Sequence, residues 1–276
     1  MTQKTNVVIT CAALILGALS ARGQTANTPV SEPPTSPAIE APAGPTASWT
    51  FTPAVVSQYM FRGVRLGGPS FQPALEFDFD NIGIGIWANF PISDKVDGAS
   101  DPEIDPYAYY TIAVNDSLSI VPGFTWYNYP RADSANGFYK ATFEPSLAVN
   151  YTIGGFKFTP KVYYDIVLEG ATLELTAAWA LPLKDLGTEL DFMATVGTYK
   201  WKSAADNAFP EVKNYSDYWL VGVSAPYAIN SSSKIVVGLA YTEGRNNYFK
   251  QSGSPKVENT GAVGRGVITI SYGITF

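Results

Sequence analysis

Residues 71–90 read FQPALEFDFDNIGIGIWANF, and the fold is decided by how this stretch alternates. Phe71, Pro73, Leu75, Phe77 and Phe79 share one parity, while Gln72, Ala74, Glu76, Asp78 and Asp80 hold the other. After Asn81 the pattern restarts: Ile82, Ile84, Ile86, Ala88 and Phe90 oppose Gly83, Gly85, Trp87 and Asn89. Successive side chains of a strand point to opposite faces, so each run reads as a strand with one apolar and one polar face. The break at Asn81 reads as a tight hairpin turn.

The same alternation recurs along the chain. Phe143, Leu147, Val149 and Tyr151 oppose Thr142, Glu144, Ala148 and Asn150, and Phe156, Phe158, Val162 and Tyr164 oppose Lys157, Thr159, Lys161 and Asp165. The pattern predicts about twelve strands, at 48–63, 70–80, 82–91, 103–114, 117–129, 138–151, 156–168, 171–183, 188–202, 215–228, 234–243 and 265–276. Connections after even strands are short: Asn81, Asn115-Asp116, Gly154-Gly155, 184–187 and 230–233. Those after odd strands are mostly longer and polar, such as 92–102, 203–214 and 244–264. Short turns at one end and long loops at the other predict an all-β chain, a transmembrane antiparallel up-and-down β-barrel of the outer-membrane type. An even strand count puts both termini on the short-turn, periplasmic side.

Composition narrows the chemistry. The 276 residues include no histidine, which removes Ser-His-Asp, Cys-His and His-metal sites together. No catalytic residue, cofactor or metal is expected, and the chain is read as a non-enzyme. One cysteine excludes an intrachain disulfide. A net charge of -6 offers no basic footprint for nucleic acid. Asp94, Asp97, Asp101, Glu103 and Asp105 gather around one outer loop, but their spacing fits no calcium loop, so a solvated acidic loop is expected.

Two N-terminal segments precede the barrel. Residues 1–23 carry Lys4, the apolar run VVITCAALILGAL and small residues at Ala21 and Gly23, which reads as a signal peptide. Residues 24–47 are rich in Pro, Ala, Thr and Ser and read as an extended, disordered linker. The barrel is expected over 48–276.

Aromatic residues cluster near strand ends: Trp49 and Phe51, Tyr59 and Phe61, Tyr139 and Tyr151, Trp219 and Tyr227. A tilted strand of ten residues spans about 23–25 Å, the height of an outer-membrane apolar band between two aromatic girdles. Lipid and lipopolysaccharide are therefore expected partners. In the final strand Ile268, Ile270, Tyr272, Ile274 and Phe276 alternate, and Phe276 ends the chain. Ile270, Tyr272, Ile274 and Phe276 look like the C-terminal signal read by barrel-assembly machinery.

A second resemblance lies at the start of the barrel. Ser57-Gln58-Tyr59-Met60-Phe61-Arg62-Gly63-Val64 resembles the S-x-Y-x-F-R-G-[IV] stretch that ends the first strand in the TorF-type porin family of Gram-negative outer membranes. Gln72-Pro73-Ala74 is similar to that family's Gln-Pro pattern. The strong match covers about the first thirty barrel residues, and the rest agrees only in alternation, length and terminal Phe. The resemblance implies a barrel and a pore and supplies no substrate.

The polar parity carries Glu76, Asp78, Asp80, Glu103, Asp105, Glu144, Asp165, Glu174, Glu189 and Asp191 against Arg62, Lys140, Lys157, Lys161, Lys234 and Arg265. A charge facing lipid at mid-membrane costs roughly 2–4 kcal/mol, so these residues are expected to face the lumen. Arg62, Glu76, Glu144, Lys161, Asp165, Glu174 and Asp191 are the candidate pore-lining residues. Tyr107, Tyr109, Tyr127, Tyr163 and Trp87 share that face and narrow it. The expected function is a narrow channel for small solutes or ions with a weak cation preference. The competing reading is a non-conducting barrel that binds, adheres or supports the envelope.

Overall fold

The computed structural model describes residues 47–95, 101–132, 139–202 and 212–276. The expected signal peptide, almost all of the linker, and Asp97 lie outside them. The wall is a closed antiparallel barrel of twelve strands. In chain order these are β1 (Ala47–Thr52, resuming at Ala54–Val56), β2 (Ser70–Phe71 and Ala74–Phe79), β3 (Ile82–Pro91) and β4 (Glu103–Tyr110 and Ile112–Asn115). Then follow β5 (Leu118–Asn128), β6 (Ala141–Ile153), β7 (Phe156–Asp165) and β8 (Gly170–Leu183). The last four are β9 (Thr188–Lys202), β10 (Lys213–Asn230), β11 (Ser233–Lys250) and β12 (Arg265–Thr275).

Each strand pairs with the next, and β12 returns to β1. Thr50 lies opposite Thr275 and Val56 opposite Thr269. Pro53 interrupts β1 because it has no N–H to give the ladder, yet its carbonyl still accepts the Tyr272 N–H at 3.0 Å. Among the described residues closure leaves the twelve-stranded wall without an edge strand, and in hydrocarbon an open edge would strand unpaired backbone groups.

The two faces of the wall differ as the alternation predicts. Leu75, Ile84, Ile86, Leu173, Val196, Leu239, Ile268 and Ile270 stand exposed on the outside. The buried side chains, including Trp87, Glu144, Tyr199 and Tyr218, lie inside the ring. An exterior this apolar over an interior this polar is the inverse of a water-soluble sheet and suits a lipid surround.

Three expectations need correction. The first strand does not run to residue 63. It stops at Val56, and Tyr59–Phe61 pairs with Val64–Gly67 as a separate two-stranded hairpin. Tyr59 and Phe61 are therefore no part of an outer girdle; each is 3% exposed inside the barrel. Tyr139, expected on the lipid face, packs against the inner core beside Tyr129, with ring centroids 5.6 Å apart. Wall parity does not reach these positions, because β1 has ended at Val56 and β6 begins only at Ala141.

Phe276 occupies the seam. Its N–H donates to the Trp49 carbonyl at 2.9 Å, and its own carbonyl accepts from the Trp49 N–H at 3.3 Å. Its ring is 72% exposed on the outside, in line with Ile270 and Tyr272. Deletion of Phe276 removes both seam bonds, whereas Phe276→Ser keeps them and removes only the apolar ring. Both variants should lower the heat-modifiable barrel recovered from outer membranes, the deletion more strongly. Unchanged recovery of Phe276→Ser would show that the ring has no part in assembly.

Candidate functional site in the barrel lumen

The loop-side half of the lumen is filled by the inner hairpin. Its tip is Arg62-Gly63, with φ of 44° and 76°. Two successive positive φ values are the pattern of a type I′ turn, which joins strands with two residues and matches their twist. Glycine is required at the second position for a further reason. A Cβ on Gly63 would lie 2.4 Å from the Gly244 backbone nitrogen, so the tip rests directly on the backbone of β11. A left-handed arginine costs about 1–2 kcal/mol, and such strain persists only where the surroundings over-determine it.

The surroundings here are a carboxylate and aromatic rings. Arg62 Nη1 and Nη2 donate to the two oxygens of Glu144 at 2.9 and 3.0 Å. The pair is buried, with side chains 3% and 1% exposed. Tyr127 Oη donates to the same Glu144 at 3.0 Å. The guanidinium carbon also lies 4.5 Å from the Tyr163 ring centroid and 5.3 Å from that of Trp201. Planar, two-pronged recognition of this kind belongs to arginine and not to lysine.

An aromatic sleeve surrounds the tip. Tyr59, Phe61, Val64 and Leu66 of the hairpin pack with Trp87, Tyr127, Tyr199, Trp201 and Tyr218 of the wall. Tyr59 Oη donates to Glu103 at 2.5 Å, which ties the base of the hairpin to β4. Glu174 accepts Tyr218 Oη at 2.7 Å and Tyr163 Oη at 3.2 Å. Lys161 places its ammonium 4.5 Å from the other contact of the plug, the Tyr163 ring.

Toward the short turns the lumen changes character. Glu76 accepts Tyr107 Oη at 2.6 Å, and Asp78 accepts Tyr109 Oη at 3.0 Å. Those tyrosines lie flat over Gly85 and Gly83, where any Cβ would collide with the rings. Asn150 links Ser119 at 3.2 Å to Thr159 at 2.9 Å. Thr176 and Thr195 meet at 2.9 Å across β8 and β9. Lys157, Asp191 and Lys234 are half-buried on the same parity. This polar-lined half, here called the vestibule, lies mostly outside the aromatic cluster around the hairpin.

The predicted residues thus separate into two groups. Arg62, Glu144, Lys161 and Glu174 come together at the plug, while Glu76 and Asp191 line the vestibule. Asp165 belongs to neither: its carboxylate accepts Thr142 Oγ1 and the Leu168 N–H, both at 2.7 Å, and so shapes the β7–β8 turn. The acidic outer loop is also corrected. Glu103 and Asp105 are 1% and 0% exposed, so they belong to the inward parity of β4, which begins at Glu103 as the alternation predicts, and not to the solvated loop. Asp94 pairs with Arg65 and Asp101 with Lys95. Among the described residues no cluster of acids and cysteines could hold a metal ion.

Sequence reasoning missed the hairpin itself. A signal was present: alternation fails at Tyr59-Met60-Phe61, three apolar residues in a row just before Arg-Gly.

Fold and lumen together define an outer-membrane-type β-barrel. The chain belongs to the Gcw_chp family, described as bacterial proteins of unknown function, whose model matches residues 41–267. The match supports a bacterial family with an outer-membrane-type barrel and does not by itself confirm the TorF-type name. None of the curated proteins matches the sequence. Solved structures with a similar layout include the NanC porin, at 9% identity and a TM-score of 0.48, covering 82% of this chain and 98% of that one. The KdgM porin in complex with disordered oligogalacturonate is 12% identical, with a TM-score of 0.46 and coverage of 83% and 99%. LpxR from Salmonella typhimurium is 11% identical, with a TM-score of 0.48 and coverage of 82% and 100%. Likeness at this level says nothing about a substrate.

Breaking a buried ion pair from one side leaves an uncompensated charge and costs about 3–5 kcal/mol. Arg62→Ala and Glu144→Ala should each lower the unfolding midpoint of the detergent-folded barrel. The double variant should lose less than the two losses combined, because the pair acts as a unit. Additive losses would mean that the two groups do not meet.

Proposed function

We propose that the protein is an outer-membrane channel for small solutes or ions, held nearly closed at its loop end by the inner hairpin. The observation that carries this reading is the vestibule. Its lining of Glu76, Asp78, Thr176, Thr195, Asn150 and Lys157 is hydratable and unlike the aromatic sleeve above it. A barrel serving only as a scaffold has no need of a half-length polar chamber. The plug is fastened by a charge pair and tyrosine hydroxyls, and such contacts can exchange partners with water. The TorF-type resemblance agrees with a pore and adds no substrate.

Weak cation preference follows from the charge that remains after the plug is neutralised. Arg62 and Glu144 cancel. Glu76, Asp78, Glu174, Glu189 and Asp191 then stand against Lys157, Lys161 and Lys234 on the inward parity. Low-dielectric walls focus the net negative field, and salt near 0.15 M screens it beyond about 8 Å. The second reading, a non-conducting binding or structural barrel, is favoured by one observation: the hairpin fills the loop-side half.

Planar-bilayer recording tests both. Wild type should show small, brief openings, and Arg62→Ala should raise conductance several-fold by loosening the tip. Reversal potentials in a salt gradient should favour cations modestly. Glu76→Gln with Asp191→Asn should reduce that preference, and Lys234→Gln should increase it. No conductance in either wild type or Arg62→Ala would establish the non-conducting barrel.

A further inference from the structure

The outer wall carries a feature that neither conduction nor the plug uses. At the loop-side ends of β9, β10 and β11, three lysines form one transverse row. Lys202 lies opposite Lys213, and Lys213 opposite Lys250. The inward parity of these strands is held by Trp201, Asn214 and Phe249, all buried. The lysine row therefore points outward. One row nearer the membrane, Lys200 lies opposite Tyr215, and Tyr215 opposite Tyr248.

Like charges directly opposite on adjacent strands destabilise a sheet. Three in succession crowd positive charge at one place, and among the described residues only Lys202 of the three forms an ion pair, with Glu169. The second row gives an anion a shaped seat. The Tyr215 and Tyr248 rings stack with centroids 5.1 Å apart. Lys200 Nζ stands 5.2 Å from the Tyr215 ring and Lys256 Nζ 5.0 Å from the Tyr248 ring. A cavity of about 380 Å³ opens here, lined in part by Tyr215, Asp217, Asn246, Tyr248 and Lys256.

The acids facing the patch neutralise part of it, and Glu258 continues the second row opposite Tyr248. Glu169 meets Lys202 at 2.6 Å, and Glu258 meets Lys256 at 3.0 Å. Asp217 is engaged by Asn246 at 3.0 Å. Among the described residues Lys200, Lys213 and Lys250 form no ion pair.

Position selects the kind of anion. Trp219 and Tyr241, with ring centroids 5.3 Å apart, mark the upper edge of the apolar belt on these strands. Tyr215 lies four residues above Trp219, about 10 Å higher along a tilted strand. That is headgroup depth. We infer that this face of β9–β11 binds the phosphorylated sugar headgroup of an outer-leaflet lipid, with phosphate on the lysines and a sugar edge against the tyrosine pair. The inference rests on the outer-membrane reading and not on conduction.

The test uses the full barrel in detergent with diphosphoryl lipid A as probe, read by native mass spectrometry. Juxtamembrane lysines contribute about fivefold in affinity each, so Lys200→Gln with Lys213→Gln and Lys256→Gln should weaken binding on the order of 100-fold. Lys256→Gln alone, in an exposed loop, should weaken it about fivefold and guards against misfolding of the triple variant. Dephosphorylated lipid A should bind wild type no better than the diphosphoryl form binds the triple variant. Excess inorganic phosphate should not displace the lipid; if it does, the site takes free phosphate and the lipid assignment falls. Equal binding by wild type and Lys256→Gln, with heat-modifiable migration intact, overturns the inference while leaving the barrel reading standing. A chain absent from the outer-membrane fraction overturns both.

Discussion

Backbone hydrogen bonding in a medium without water is the constraint on which everything else rests. Each N–H and C=O at membrane depth must find a protein partner, and a sheet achieves this only by closing. Here closure falls to two irregular strands. β1 is broken at Pro53, and β12 ends one residue before the terminal Phe276. The seam is nonetheless continuous from Val56 opposite Thr269 to Trp49 bonded to Phe276. Once closed, the wall sorts side chains by parity alone: apolar to lipid, polar to the lumen.

Sorting creates a second problem, because a ring of twelve strands encloses more space than its own side chains fill. The chain answers by folding the first long connection inward. Tyr59, Phe61, Val64 and Leu66 provide the apolar filling, and Arg62 reaches Glu144 across the lumen. A buried charge pair is a weak source of stability compared with an apolar contact of the same volume. It is a strong source of position, since two parallel hydrogen bonds admit one geometry. The hairpin is thus located more firmly than it is glued.

Much of the architecture was legible in the chain itself. Period-2 alternation at Phe71–Phe79 and Ile82–Phe90 is a local property, and the same alternation placed eight of the other ten wall strands within a few residues; β1 and β11 end well away from the predicted bounds, at Val56 and at Lys250 in place of 63 and 243. It also assigned Glu76, Glu174 and Asp191 to the inside, because a charge on the lipid face is too costly. The same reasoning misread Tyr59, Phe61 and Tyr139. Parity says which side of a strand a residue takes, but not that the strand has ended and the chain has turned into the lumen.

What the sequence by itself determined was the strand pattern and the apolar outer belt, since each depends on neighbours one or two residues away. The tertiary structure alone decided the pairing of Arg62 with Glu144, 82 residues apart, and the alignment of Lys202, Lys213 and Lys250. Those contacts depend on register across several strands and on the direction in which a loop folds. Both are consequences of closing the ring, and no local periodicity encodes them.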